Sequence, residues 1–455
     1  MKKVTAIFDV GKTNKKLFLL DKTYQELYRE YTTFDPITDP DGYPAEDLGA
    51  LVQWMQRALE RLLAIPDYEI TGINFSTYGA SLVHLDANGQ PMLPLYDYTK
   101  PMDAGLIATF YSKYGPESRF SAATGSLNSG MLNAGMQLYW LKYTHPEAFK
   151  KINYSLHLPQ YLSFVFTQQA ISEYTSIGCH TALWDYQKSD YHDWVFAEGL
   201  DHLLAPLDSA QSSVKTIFGG KTLRVGRGIH DSSAALLPYI RSAQQRFILV
   251  STGTWSITLN PFSSAPLTAA EVAEGGLQYM QPNGQAVKAS RLFLGNEYAF
   301  QIAFLAEKFK VPVEEHKKMA FDPKIYISLK KNFTSMFRWK NISSKQMPQA
   351  TRLPHQDYAT AYHQLVLELV ELQAESICQV MGNQPLKYLY VEGGFTDNAV
   401  FIQMLAQRLP QMKLKTTNAS IGSALGAAIA LSTNPLPESF LKDNYALREH
   451  LPLPL

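Results

Sequence analysis

At 455 residues the chain is too long for one ordinary core, and its 46% hydrophobic residues supply material for roughly two or three domains. Lys+Arg and Asp+Glu balance at 41 each, and with 18% charged residues there is no basic stripe of the kind that holds a nucleic-acid backbone. A small polar substrate therefore fits better than a polyanionic partner.

Cys179 and Cys378 stand in no CxxC or Cys/His spacing, which indicates neither a disulfide framework nor zinc and suits reduced thiols in the cytoplasm. Lys2 and Lys3 precede a short apolar run, Val4 to Phe8, that Asp9 and Gly11 interrupt, so no secretory leader is expected. No stretch approaches the roughly 18 apolar residues of a membrane span.

Val4 to Phe8 reads as a strand, Asp9 to Asn14 as a turn, and Lys16 to Leu20 as a second strand, which together make a hairpin. Gly11 would let the backbone approach an anion, Thr13 and Asn14 offer donors, and Lys16 supplies charge. An ordinary hairpin turn fits these residues equally well. A Walker A loop does not, because Ala6 stands where its first glycine belongs and no helix follows.

Asp47 to Leu63 has helical periodicity, with Leu48, Leu51, Trp54, Met55, Leu59 and Leu62 on one face. Ile70 to Phe75 is a strand that opens into the small polar run Ser76 to Ser81, the kind of strand end at which α/β proteins bind ligands; a plain loop fits as well. Leu82 to Leu85 is another strand, followed by an Asx-type turn. Amphipathic helices within residues 131 to 185, including Met136 to Lys142 and Gln160 to Phe164, carry aromatic stripes that read as core. Glu173 to Trp184 is too small and polar for core and is expected at the edge of a substrate cleft, with His180 structural because no nucleophile accompanies it.

Gly228 to Ala235 places the imidazole of His230 beside the carboxylate of Asp231 at the head of a small-residue run. Phe247 to Val250 is then a buried strand ending in Ser251-Thr252-Gly253-Thr254, and Trp255 to Asn260 is the next strand. This repeats the form of residues 4 to 21 and suggests two similar halves, with a boundary near Leu236 to Gln245. Lys330 to Lys345 reads as a solvated basic loop. Leu386 to Val391 is a strand, Glu392 to Asn398 a turn with Gly393 and Gly394, Ala399 to Leu409 a helix, Lys413 to Thr416 a strand and Ile421 to Leu431 a small-residue helix. Paired glycines between strand and helix allow close backbone approach to phosphate or a flat ligand.

Three glycine/hydroxyl turns spread over two halves suit a nucleotide held between two domains. Phosphoryl transfer needs donors and a cation around the phosphates, a carboxylate to place a metal, and a base near the acceptor hydroxyl. Asp9 suits the metal role and Asp231 the base role. A helix N-cap also explains Asp231, and the two readings are compatible.

Asp9-Val10-Gly11-Lys12-Thr13-Asn14-Lys15-Lys16, His230-Asp231-Ser232-Ser233-Ala234-Ala235, Ser251-Thr252-Gly253-Thr254-Trp255-Ser256 and Val391-Glu392-Gly393-Gly394 lie in the order and at about the spacing of the FGGY family of carbohydrate kinases, which the chain resembles from about Val4 to Leu431. The His-Asp pair and the Gly-Thr-Trp-Ser turn look most like the kinases of 6-deoxyketoses. The resemblance implies an α/β fold of two actin-like (ribonuclease H-like) domains with a central cleft, 1–240 binding sugar and 241–455 binding nucleotide. It implies ATP and Mg²⁺, with transfer of the γ-phosphate to a hydroxyl of a ketose such as L-rhamnulose or L-fuculose.

Carried over by position, Asp231 would be the general base and Asp9 would hold magnesium. Gly11, Thr13, Asn14 and Lys16 would form the first phosphate turn, and Thr252 and Gly253 the second. Gly393, Gly394 and Asn398 would lie along the adenosine, while Gly79 and His230 would touch the sugar. The expected partner is a small-molecule sugar, with no nucleic acid or membrane, and a homodimer is a candidate assembly. Lys12 departs from the Thr of many members. Tyr78-Gly79-Ala80-Ser81 matches a Trp-Gly-x-Asp pattern only in part, and Tyr96-Asp97-Tyr98-Thr99-Lys100 lacks the Tyr-Arg-Asp-x-Arg run of relatives. A xylulose, glycerol or other polyol kinase, a non-catalytic actin-like nucleotide-binding protein, and a sugar sensor that has lost catalysis stay open beside the leading expectation.

Overall fold

The apolar run Val4 to Val10, buried on both faces, forms the centre of a seven-stranded sheet. In the computed structural model, which describes residues 1–342, 347–419, 421–432 and 434–454, this strand, Lys2–Val10, pairs antiparallel with Lys15–Asp21 and parallel with Tyr68–Thr77. Glu26–Thr32 extends the sheet on one side, and Lys221–Gly226 with Ser213–Phe218 on the other. The short strand Ile229–His230 runs parallel to the end of Tyr68–Thr77, with His230 opposite Thr77.

Asp47 caps the helix Leu48–Leu63 by accepting from the Ala50 N–H at 2.8 Å. The spacing of Leu51, Met55, Leu59 and Leu62 lays that helix on the sheet beside Leu158 and Leu162, where they pack with Phe8, Ile73 and Phe75. Each large side chain so buried contributes about 1.5–3 kcal/mol. Asn74, with the opposite side-chain direction to its neighbours Ile73 and Phe75, donates to the Ala427 carbonyl of the helix Gly422–Ala430. That helix packs on Asp231–Ser242 so closely that a Cβ at Gly426 would lie 1.8 Å from the Ala234 carbonyl oxygen.

These elements form one unit, Met1–Ser242, Ser264–Val287 and Ile421–Leu436; Ala243–Ser263, Lys288–Ser420 and Pro437–Leu455 form another. The segments 264–287 and 421–436, which fall in the 241–455 half of the sequence division, thus belong with the first unit.

In the second unit, strands run in the order Ala286–Leu292, Ser256–Asn260, Phe247–Thr252, Tyr388–Gly393, Lys413–Thr417 and Arg448–His450. Phe247–Thr252 is antiparallel to Ser256–Asn260 and parallel to Tyr388–Gly393, echoing the first unit's hairpin and parallel neighbour. The helix Tyr358–Met381 is buried along most of its length and fills the core with Leu365, Val366, Leu369, Val370 and Ile377.

The expected solvated loop over Lys330 to Lys345 is corrected in its described part. Phe337 and Trp339 are buried, the Met336 and Phe337 N–H groups donate to Glu368, and those of Lys340 and Asn341 donate to Glu297. Buried carboxylates inside the unit satisfy this irregular backbone, so its lysines hide an anchored segment; Lys345 lies outside the described residues. No helix among the described residues is long and apolar enough to cross a membrane.

Candidate active site

Strand register gathers the first unit's candidate residues at one edge of its sheet. Asp9 stands opposite Ser76, Ser76 opposite Ile229, and Thr77 opposite His230, so all reach the carboxyl ends of parallel strands. Asp231 begins the helix that follows. Its Oδ1 lies 3.3 Å from His230 Nε2. Burial raises the Asp231 carboxyl to about 6, against the bonds from the Ser232 N–H and hydroxyl, although the side chain keeps 37% of its surface exposed. Burial also lowers His230 to about 4, so the imidazole is neutral at physiological pH and its Nε2–H can donate to Asp231. His230 Nδ1 is buried without a partner. A Cβ at Gly79 would come within 2.9 Å of His230 Nε2, so this glycine lets the loop lie against the ring.

Asp9 accepts from the Ser423 hydroxyl at 2.8 Å and lies 3.7 Å from Lys16 Nζ. Burial pushes its carboxyl up, the Ser423 bond and the Lys16 charge pull it down, and the Asp231 charge raises it again. In the turn between Lys2–Val10 and Lys15–Asp21, the Gly11 N–H donates to the Asn14 carbonyl at 3.0 Å, while Thr13 and Asn14 are exposed. Lys15 is the buried lysine: it pairs with Glu46 at 2.6 Å and donates to the Lys12 carbonyl, bracing the turn from beneath.

Glu173 to Trp184 was expected at a cleft edge as too polar for core, but Glu173, Thr175, Ser176, Cys179 and Thr181 are buried. Their polar atoms are absorbed internally. Glu173 accepts from Thr175 and Ser176, and Thr175 Oγ1 accepts from the His230 N–H at 3.0 Å, fixing the strand end that carries Asp231. His180 Nε2 lies 3.3 Å from the Tyr279 hydroxyl, and the Tyr279 ring stacks on His230.

In the second unit Thr252 is opposite Gly393 in parallel register. The Thr252 hydroxyl donates to the Glu392 carbonyl and accepts from the Phe395 N–H, and the Gly253 N–H donates to the Trp255 carbonyl at 2.8 Å. Thr252 therefore ties the two glycine turns together. Gly393 has φ +86°, and a Cβ there would meet the Thr252 carbonyl oxygen at 1.9 Å. A pocket of about 660 Å³ opens here, lined by Gly253, Gly394, Asn398, Asn296, Tyr298 and Tyr362, among others. Asn398 caps the helix Ala399–Arg408 through Phe401 N–H and donates to the Tyr298 hydroxyl, which bonds Tyr362 at 3.1 Å. The sequence reading missed Asn296, Tyr298 and Tyr362, which lie on helices without a motif.

Among the described residues no three His, Cys, Asp or Glu side chains converge as a metal cage. A magnesium ion carried by phosphates needs only one or two carboxylates, and Asp9, buried at the strand end, fits that smaller demand.

Residues 4–216 match the FGGY family of carbohydrate kinases, N-terminal domain, and residues 244–438 match the carbohydrate kinase FGGY, C-terminal domain. The rhamnulokinase of Halalkalibacterium halodurans is 25% identical over 285 residues, 59% of this chain and 58% of that protein. The L-fuculokinase of Salmonella typhi is 23% identical over 268 residues, 56% of each chain. The chain thus spans a little over half the length of these two relatives. A solved carbohydrate kinase from Novosphingobium aromaticivorans matches with a TM-score of 0.82 at 25% identity, covering 99% of this chain and 95% of that one.

Proposed function

Because the chain belongs to the FGGY family of carbohydrate kinases, we propose that it transfers the γ-phosphoryl group of ATP to a hydroxyl of a 6-deoxyketose, of the kind that L-rhamnulose and L-fuculose represent. The observation that carries this reading is the Asp231 carboxylate beside neutral His230 at the strand edge that also ends in Asp9. The curated rhamnulokinase and L-fuculokinase matches support the sugar class.

In this reading Asp231 takes the proton of the sugar hydroxyl as its oxygen bonds to the γ-phosphorus, while the bond to the β-phosphate oxygen breaks and ADP leaves. A base titrating near 6 is deprotonated at neutral pH yet basic enough to accept that proton. His230 holds the carboxylate through Nε2–H and keeps a buried acceptor, Nδ1, whose desolvation costs about 1–3 kcal/mol unless a ligand donor meets it. Lys16, Gly11, Thr13 and Asn14 offer charge and donors to the phosphates, and Gly394 and Asn398 face the second-unit pocket that suits a nucleoside. Asp9 would hold magnesium, which when bound neutralises phosphate charge.

The test is ADP release across L-rhamnulose, L-fuculose, D-xylulose and glycerol, for the wild type and Asp231→Asn. The wild type is expected to prefer a 6-deoxyketose. The variant is expected to bind ATP and turn over about 10²- to 10⁴-fold more slowly; near wild-type turnover would remove Asp231 as the base.

A further inference from the structure

Lys12 and the Tyr96 to Lys100 run, far apart in sequence, meet in space. Lys12 Nζ lies 2.8 Å from Asp97 Oδ2, and 5.6 and 5.3 Å from the ring centroids of Tyr78 and Tyr98. The two rings stand 6.1 Å apart at 61°, forming a corner around the ammonium. The other carboxylate oxygen of Asp97 accepts from the Thr99 N–H and hydroxyl, both at 2.8 Å, so the acid cannot rotate away. Although burial pushes the Asp97 carboxyl up, the bonds from Lys12 and Thr99 hold it below its usual range, and it stays ionised.

This corner borders the candidate base. Tyr78 follows Thr77, which pairs with His230, and Gly79 lies against the His230 ring. The Lys12 side chain is 33% exposed where Asp97 is 11% exposed, so the pair is rooted on the acid and open on the ammonium. An ammonium has three donors, and Asp97 takes one. The others, on the exposed side of the ammonium, can donate to an acceptor-rich ligand. With Asp97, Asp231 and Asp9 all on this unit's site residues, a ligand bringing its own carboxylate would meet repulsion, whereas adjacent neutral hydroxyls can accept from Lys12 and donate to Asp97 Oδ2.

We propose that Lys12 is a specificity-determining residue: latched by Asp97 between Tyr78 and Tyr98, it binds adjacent hydroxyls of a neutral ketose. The inference rests on the kinase reading above for the place of the sugar. It assigns the sugar contact to a residue of the phosphate-side turn, and so separates Lys12 from Thr13, Asn14 and Lys16, whose expected ligand is phosphate.

The experiment uses the full chain as wild type, Lys12→Met, which keeps an unbranched stem without the charge, and Lys12→Arg, which keeps the charge. Calorimetric binding of L-rhamnulose, L-fuculose, D-xylulose and D-gluconate is measured beside steady-state KM and kcat for ADP release. Lys12→Met is expected to weaken binding of the preferred ketose about tenfold or more and raise its KM in step, without improving gluconate binding, because loss of the cation leaves the carboxylates uncompensated. KM for ATP should stay within about twofold, and Lys12→Arg should recover part of the sugar affinity. Unchanged sugar affinity and order in Lys12→Met overturn the proposal, as does a rise confined to the KM for ATP. A lowered melting temperature with intact sugar preference likewise assigns the pair to stability alone. Failure of the kinase reading has a different signature: a wild type that binds a ketose but releases no ADP with any of them, in which case calorimetry still decides Lys12. A wild type that binds none of the sugars overturns both.

Discussion

The carboxyl of Asp231 is raised to about 6 because burial disfavours its charge more than the Ser232 bonds favour it. As a base it acts when deprotonated, so kcat/KM is expected to rise with pH through about 6 and level above it, a profile that Asp231→Asn loses. The same shift sets a stability signature of opposite sign. The folded-state value lies above the unfolded 3.8, so the charged carboxylate costs stability as pH rises from about 4 to 6, and the cost is complete above that. Asp231→Asn should therefore melt higher than wild type at pH 8 and no higher at pH 4, as differential scanning calorimetry can measure. Equal melting shifts at both pH values would remove burial as the cause. Asp231 and His230 were legible in sequence because acid and imidazole are adjacent there. Tyr298 and Tyr362 were not: they are 64 residues apart and meet only through their hydroxyls.

At the scale of elements, two glycines govern how closely backbones approach. Gly393→Ala puts a Cβ into a left-handed conformation against the Thr252 carbonyl, where backbone strain alone costs about 1–3 kcal/mol. It is expected to lower the melting temperature and weaken ATP binding. Gly394→Ala, with nothing within 4 Å of its Cβ, should leave stability close to wild type. In the first unit Gly426→Ala separates two helices in backbone contact and should cost about 3 kcal/mol or more by urea unfolding, without a direct effect on nucleotide affinity. Strand–turn–strand and strand–turn–helix units were readable because short, nearly continuous apolar runs such as Phe247 to Val250 end in Gly, Thr and Asn residues. The 24-residue helix Tyr358–Met381 was passed over, since it is buried nearly all round and shows little one-sided stripe. Glu173 to Trp184 misled for the converse reason: its polarity is satisfied inside the fold.

At the scale of the whole molecule, the candidate residues Asp9, Gly79, His230 and Asp231 belong to one unit, and Thr252, Gly253, Gly393, Gly394 and Asn398 to the other. A ligand that binds only the folded form of one unit stabilises that unit, by about 2.7 kcal/mol at a hundred times its dissociation constant. Calorimetry is expected to show ketose raising the transition of the first unit, and ATP raising that of the second through its nucleoside and that of the first through its phosphates. A single transition moved equally by either ligand alone would mean that the units unfold as one.

The sequence by itself determined the family, the α/β class and the motifs that end its strands, because glycine, hydroxyl and carboxylate residues at strand ends are local signals that survive low identity. Tertiary structure alone decided which of those groups are free to act. Thr252 is spent joining two turns, Lys15 is buried under the hairpin, and Lys12 finds Asp97 across 85 residues of chain. It also decided that 264–287 and 421–436 belong to the first unit, where Ser423 reaches Asp9. Burial and hydrogen-bond partnership depend on what folds against a residue, and no window of sequence carries that information.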